Sequence, residues 1–283
     1  MIAYKSIIYD ITNKLRLQNN LGNYCGRSLF DVIEKIDIDG SNPLLFRLPF
    51  KNIDLAGFVG YKNDRFSVFL NSNRTLGYEI FTAAHEIYHL IENTSGIKED
   101  IIIEENDTSK KENCEVLADS FAVELLIPEM DISREYERLI KLNALKSPDE
   151  STIIILQQQY FVEYRAITKR LAELNIIDCK IEKTLNEIME KENELSSLTK
   201  KLGYSNQLNE PSENVMLPRE FLKAIEENYK NKDTSFDDLI VLFSYCDLEP
   251  KEFGYEEEEL TESAKAFMEK IKLQLGSENI GKK

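Results

Sequence analysis

The chain has 283 residues, 42% hydrophobic and 30% charged, enough to bury one substantial core and to form two or three structural units. Lys and Arg number 35 against 51 Asp and Glu, and the resulting net charge of −16 repels phosphate backbones and anionic membranes, so a basic or neutral protein is the expected partner. No stretch approaches the roughly 18 apolar residues of a membrane span, and the first residues lack a hydrophobic signal core, so a cytoplasmic location is expected. Cys25, Cys114, Cys179 and Cys246 stand far apart with no C-x-x-C pair and read as reduced thiols.

In chain order, helical spacing of Ile7, Ile8, Ile11 and Leu15 predicts a helix over 3–17, and Ser28 followed by Leu29, Val32, Ile33 and Ile36 predicts a second, shorter one. Apolar runs at 44–50, 55–61 and 65–71 read as strands. The last two flank Lys62-Asn63-Asp64, a turn-forming stretch, which predicts a β-hairpin in a small antiparallel sheet. An exposed edge of such a sheet can take a peptide as an added strand.

A helix is expected from about 75–77 to Asn93, and it carries His85-Glu86-Ile87-Tyr88-His89. Two His four apart on a helix share one face and can reach a single ion, with the intervening Glu beside the metal-bound water as general base. These are the only two His of the chain, and random placement would set them four apart in roughly one arrangement in 140. The pattern is that of a zincin, in which zinc polarises the scissile carbonyl and Glu86 moves the water proton to the leaving amine. The polar stretch 98–111 reads as a loop.

Catalytic zinc sites usually take three protein ligands and keep one position open. With no third His, the remaining donors are carboxylates or Cys, and Glu115 is the preferred third ligand. Val116, Ala118, Phe121, Ala122, Leu125 and Leu126 mark an amphipathic helix on which Glu115 and Asp119 lie four apart. Asp119 is expected to accept the free N–H of a ligand His. Cys114 is the rival soft ligand, and Glu124 reads as part of a solvated acidic face. The donor that stabilises the oxyanion is left open between Tyr88, another Tyr and an Arg.

The block Phe81-Thr82-Ala83-Ala84-His85-Glu86-Ile87-Tyr88-His89, followed by Glu115, Ala118, Phe121-Ala122 and Leu125-Leu126-Ile127-Pro128, resembles the ImmA/IrrE family of bacterial metallo-endopeptidases, over about residues 1–180. The resemblance implies Zn²⁺ at His85, His89 and Glu115, with Glu86 as catalytic base. It further implies a role in transcription regulation, in which a helix-turn-helix repressor is cleaved or removed to switch on mobile-element or stress-response genes. Tyr88 stands where small residues or Gly are common in the family.

Two short helices expected over 152–174 resemble the helix-turn-helix-like segment that follows the peptidase region in this family. Arg165, Lys169 and Arg170 are offset there by Glu163, Glu173 and Asp178, which favours packing or partner docking over reading DNA. Residues 180–202 read as one charged connecting helix, 203–216 as a linker, and 218–230, 235–245 and 261–275 as further helices, the second capped by Ser235 with Asp238 three on. Residues 256–259 form an acidic run that reads as a solvated face. The expected architecture is α+β: a zincin-like peptidase domain over 1–130, a helix-turn-helix-like segment over 131–178, and a helical C-terminal extension over 179–283. The expected function is a zinc endopeptidase acting on a regulatory protein; the alternative is a non-catalytic zinc protein that sequesters a repressor.

Overall fold

A computed structural model describes residues 2–93, 108–145, 147–244 and 248–256. The chain divides into two compact units, the first running to Arg219 and the second beginning at Glu220. The architecture is α+β, and no described helix is long and apolar enough to cross a membrane.

The first unit opens with α1 (Ile2–Gln18) and α2 (Ser28–Ile33) and continues into a three-stranded sheet of β1 (Leu44–Leu48), β2 (Gly57–Lys62) and β3 (Arg65–Asn71), in the order β1-β3-β2. The expected hairpin is β2 and β3, paired from Gly57 with Leu70 to Lys62 with Arg65. Asn63 and Asp64, both at positive φ, make the two-residue turn that the twist of a hairpin favours. The sheet expected to be antiparallel is instead mixed, because β1 lies parallel to β3, with Leu45 opposite Val68. The segment after β1 begins with Pro49 and is long enough to hop across the end of β3 before returning as β2. Buried Asn71 holds that crossing, its side-chain amide donating to the carbonyls of Asn52 and Leu55 at 3.0 and 2.7 Å.

One face of the sheet carries stacked Phe46, Phe69 and Phe58, with adjacent ring centroids 4.6 Å apart. The other face, with Leu45, Val68 and Leu70 fully buried, meets α3 (Leu76–Asn93) through Ile80, Ala83, Ala84 and Ile87. Arg47 points to this same inner face. Its guanidinium makes two bonds to the fully buried Glu79 carboxylate of α3, at 2.7 and 3.0 Å, and lies 3.9 Å over the Phe30 ring.

Helix α4 (Thr108–Leu126) packs along α3 and begins before the expected end of the 98–111 loop; residues 98–107 lie outside the described residues. Pro128 prevents α4 from continuing, which leaves its last carbonyls to other donors. Arg16 Nη2 donates to Leu125 O at 2.5 Å and to Glu124 O at 3.2 Å, Cys25 Sγ donates to Leu125 O at 3.4 Å, and Arg170 Nε donates to Ile127 O at 3.1 Å. Cations at a helix C-terminus also complement its dipole. Arg170 pairs with Glu124 as well, so Glu124, expected on a solvated face, is one half of a shielded ion pair.

After α5 (Glu129–Leu142), the two expected short helices are α6 (Glu150–Tyr160) and α7 (Tyr164–Glu173), joined by Phe161 in the left-handed region. The single helix expected over 180–202 is instead α8 (Cys179–Asn186), a 3₁₀ turn (Glu187–Met189) and α9 (Glu194–Lys201). Asn193, at φ 58°, ends the first piece's direction, since Asn accepts the left-handed region at little cost. Before the break α8 packs on α7, where Tyr164 donates to Leu185 O at 3.0 Å and Thr168 to Asn186 at 2.8 Å, and after it α9 meets α6.

Residues 203–216, expected as a linker, are packed down. Leu208 is fully buried, Met216 pairs with Arg47 on the outer edge of β1, Pro211 bridges Thr75, and Ser212 donates to Glu79 at 2.8 Å. In the second unit, α10 (Arg219–Lys230) and α11 (Phe236–Ser244) bury Ile225, Leu239 and Phe243, and Phe243 meets Phe253 and Tyr255. Ser235 and Asp238 cap α11 reciprocally. The helix expected over 261–275 lies outside the described residues, as does the acidic run after Glu256.

Candidate metal centre

The site rests on the α3–α4 pair. The hydrophobic spacing of α3 buries Ala84, Ile87, Tyr88 and Leu90 and leaves Phe81, His85 and His89 as one half-buried stripe at four-residue steps. Across from it, Ala118, Phe121, Ala122 and Leu125 bury one side of α4 and leave Glu115 and Asp119 at its exposed margin. The two helices run antiparallel, so His85 faces Asp119 while His89 faces Glu115 and Cys114.

His85 Nε2 lies 3.1 Å from Glu115 Oε2 and 3.1 Å from His89 Nε2, and His89 Nε2 lies 3.7 Å from Glu115 Oε1. A tetrahedral ion with bonds of about 2.0–2.1 Å needs donors roughly 3.3 Å apart. These three side chains therefore fit one ion without rearrangement. On its other nitrogen, His85 bonds Asp119 Oδ1 at 2.9 Å. A carboxylate only accepts, so the Asp119 bond places a proton on His85 Nδ1, and in the neutral ring the Nε2 lone pair would then face the Glu115 carboxylate. Two acceptors aimed at each other require a positive charge between them, either a proton or a metal ion.

The electrostatics agree. Burial opposes protonation of His85, but the Asp119 bond and the charges of Glu86, Asp119 and Glu115 outweigh it and raise the pKa. Burial and the neighbouring His85 lower His89, which favours its metal-binding neutral form. Glu86 is buried at 6% exposure. Desolvation pushes its carboxyl up to about 7, against the pull of His85 and with the Glu115 charge adding. Carboxylates raised in this way are suited to proton transfer.

All five residues expected at the site therefore converge on one helix pair. Tyr88, a candidate oxyanion donor from the sequence, is buried with its ring 5.6 Å from Phe121 and 6.1 Å from the His89 ring. Cys114 sits beside His89 rather than in the His85–His89–Glu115 triad, its Sγ 3.7 Å from His89 Nδ1. No motif or spacing pointed to Glu92, which accepts from the Cys114 thiol at 2.8 Å. A cleft of about 1180 Å³ opens next to the triad, with Phe81, Leu117 and Asp119 in its wall, and extends past Tyr9 and Met130 to Ala166.

A small α+β unit with an H-E-x-x-H helix and a carboxylate from the next helix defines a metallopeptidase-type protein. Residues 39–172 match the model of the IrrE N-terminal-like domain of peptidase family M78, and this stretch belongs to the ImmA/IrrE family. The match is shorter than the resemblance in the sequence suggested, beginning just before β1 and ending in α7. No curated protein matches the chain.

Proposed function

We propose that the chain is a zinc-dependent endopeptidase that cleaves a regulatory protein, of which a helix-turn-helix repressor is the expected example. The observation that carries this reading is the convergence of His85, His89 and Glu115 on one point, with Asp119 behind His85. Two His and one carboxylate are a hydrolytic zinc set with room for a water. Zinc held there would polarise a peptide carbonyl and acidify a water. Glu86 accepts the proton of the attacking water and returns it to the leaving amine; its burial keeps the carboxyl basic enough for both steps. Asp119 keeps His85 in the tautomer that offers Nε2.

A protein substrate is supported by the peptidase family and by strand β2, which lies at the edge of the three-stranded sheet and whose first residue, Gly57, packs against Thr82 of α3. A peptide added along that edge runs beside the metal-binding helix. The net charge of −16 suits a substrate with a basic surface.

The test is Glu86→Gln, which keeps shape and leaves the three metal-binding side chains in place. Incubated with a helix-turn-helix repressor encoded nearby, the wild type is expected to produce fragments and release the operator, while the variant binds zinc and the repressor but cleaves at least about a hundredfold more slowly. Equal operator release by both proteins, with no fragments from either, would establish sequestration instead of proteolysis.

A further inference from the structure

His89 is faced on both of its ring nitrogens. Nε2 turns toward His85 and Glu115, while Nδ1 lies 3.7 Å from Cys114 Sγ, and the Cys114 thiol in turn donates to Glu92 Oε2 at 2.8 Å. A neutral imidazole carries one proton. If Nε2 offers its lone pair to a metal, that proton is on Nδ1, and the sulfur beside it is the acceptor. Cys114 thus stands to His89 as Asp119 stands to His85. Both partners come from α4, five residues apart on the margin that also supplies Glu115, and they match the four-residue step between the two His on α3.

We infer that Cys114, held by Glu92, is a positioning residue that fixes the tautomer and ring orientation of His89, so that retention of the metal depends on this thiol. The inference rests on the metal-site reading above. His89, Glu92 and Cys114 also form a set of metal-type donors within 4.8 Å of one another. A second ion there would compete for His89, because a ring that gives Nε2 to one ion keeps its proton on Nδ1.

A thiol is a weaker acceptor than a carboxylate. Of the two imidazoles, His89 is therefore the less firmly held, and the chemistry of Cys114 reaches the metal through it. A group added to the sulfur would occupy the space beside Nδ1 and push the ring from its position. The thiol is half-buried, within reach of a small reagent.

The experiment measures the rate at which zinc passes from the full-length protein to an excess of chelating dye. Cys114→Ala is expected to release zinc about 10–100-fold faster than wild type, the usual cost of removing a ligand's orienting partner. Cys114→Ser keeps a hydroxyl that can accept from Nδ1 and donate to Glu92, and it should recover most of that loss. N-ethylmaleimide should speed release from the wild type and leave Cys114→Ser unchanged, which separates this thiol from the other three. In the cobalt-substituted wild type no thiolate-to-cobalt charge-transfer band is expected. Release from Cys114→Ala at the wild-type rate overturns the inference. So does a charge-transfer band that disappears in Cys114→Ser, since the sulfur would then be a ligand itself. A wild type that holds no stoichiometric zinc overturns the metal-site reading, and this is seen before any variant is compared.

Discussion

Glu115 and Asp119 are four residues apart on one helix, yet His85 uses them for opposite purposes. Glu115 faces Nε2, where the proposed ion would sit, and Asp119 faces Nδ1, where the ring would keep its own proton. Removing Glu115 takes away a donor and removing Asp119 only loosens a ring. Glu115→Ala should therefore abolish stoichiometric zinc. Asp119→Ala should retain the fold and weaken zinc affinity about 10–100-fold. Competition titration against a chelator of known affinity separates the two. Full zinc occupancy in Glu115→Ala together with metal loss in Cys114→Ala would mean that the third ligand is Cys114.

Between elements, the Arg47–Glu79 pair carries the geometry of the site without touching it. Strand β1, helix α3 and residues 203–216 meet there, through two guanidinium bonds and the Ser212 hydroxyl. Close approach next to it leaves no space for a side chain at Gly77, where a Cβ would stand 2.7 Å from Glu163 N and 2.8 Å from Val162 C. Taking one partner from a buried pair strands the other charge. Glu79→Ala should cost about 3–5 kcal/mol, read as a shifted midpoint in urea unfolding, whereas replacing both residues together with apolar ones of similar volume should cost much less. An unchanged midpoint in Glu79→Ala would show that the pair is solvated. On α7, Arg170 is likewise held by Glu124 and by Ile127 O, which removes it from any surface offered to DNA.

For the molecule as a whole, charge governs encounter. At −16 it attracts a basic partner over a distance that salt shortens to about 8 Å at physiological ionic strength. Association with a basic repressor should slow by about tenfold or more between low and physiological salt, with a smaller change in dissociation. A salt series in a surface-binding assay checks this, and a flat association rate would show that apolar contacts, such as those lining the cleft beside Asp119, control recognition.

The local patterns were legible in the sequence because they are written at fixed spacings. H-E-x-x-H on an amphipathic helix, E-x-x-x-D on the next, the Asn63-Asp64 turn and the Ser235 cap each depend on residues within a few positions of one another. What depends on distant partners was not legible. Whether β1 runs parallel or antiparallel to β3 is decided by a crossing held by Asn71. Whether 203–216 is a linker is decided by Glu79 and Arg47, more than 130 residues earlier. Glu124 looks solvated until Arg170 is folded against it, and the 180–202 helix looks continuous until its first piece must pack on α7 and its second on α6. The sequence by itself determined the chemistry available at the site, since it holds only two His. The tertiary structure alone decided which face of Cys114 and Glu92 that chemistry meets, because helix–helix register arises from packing and leaves no periodic trace.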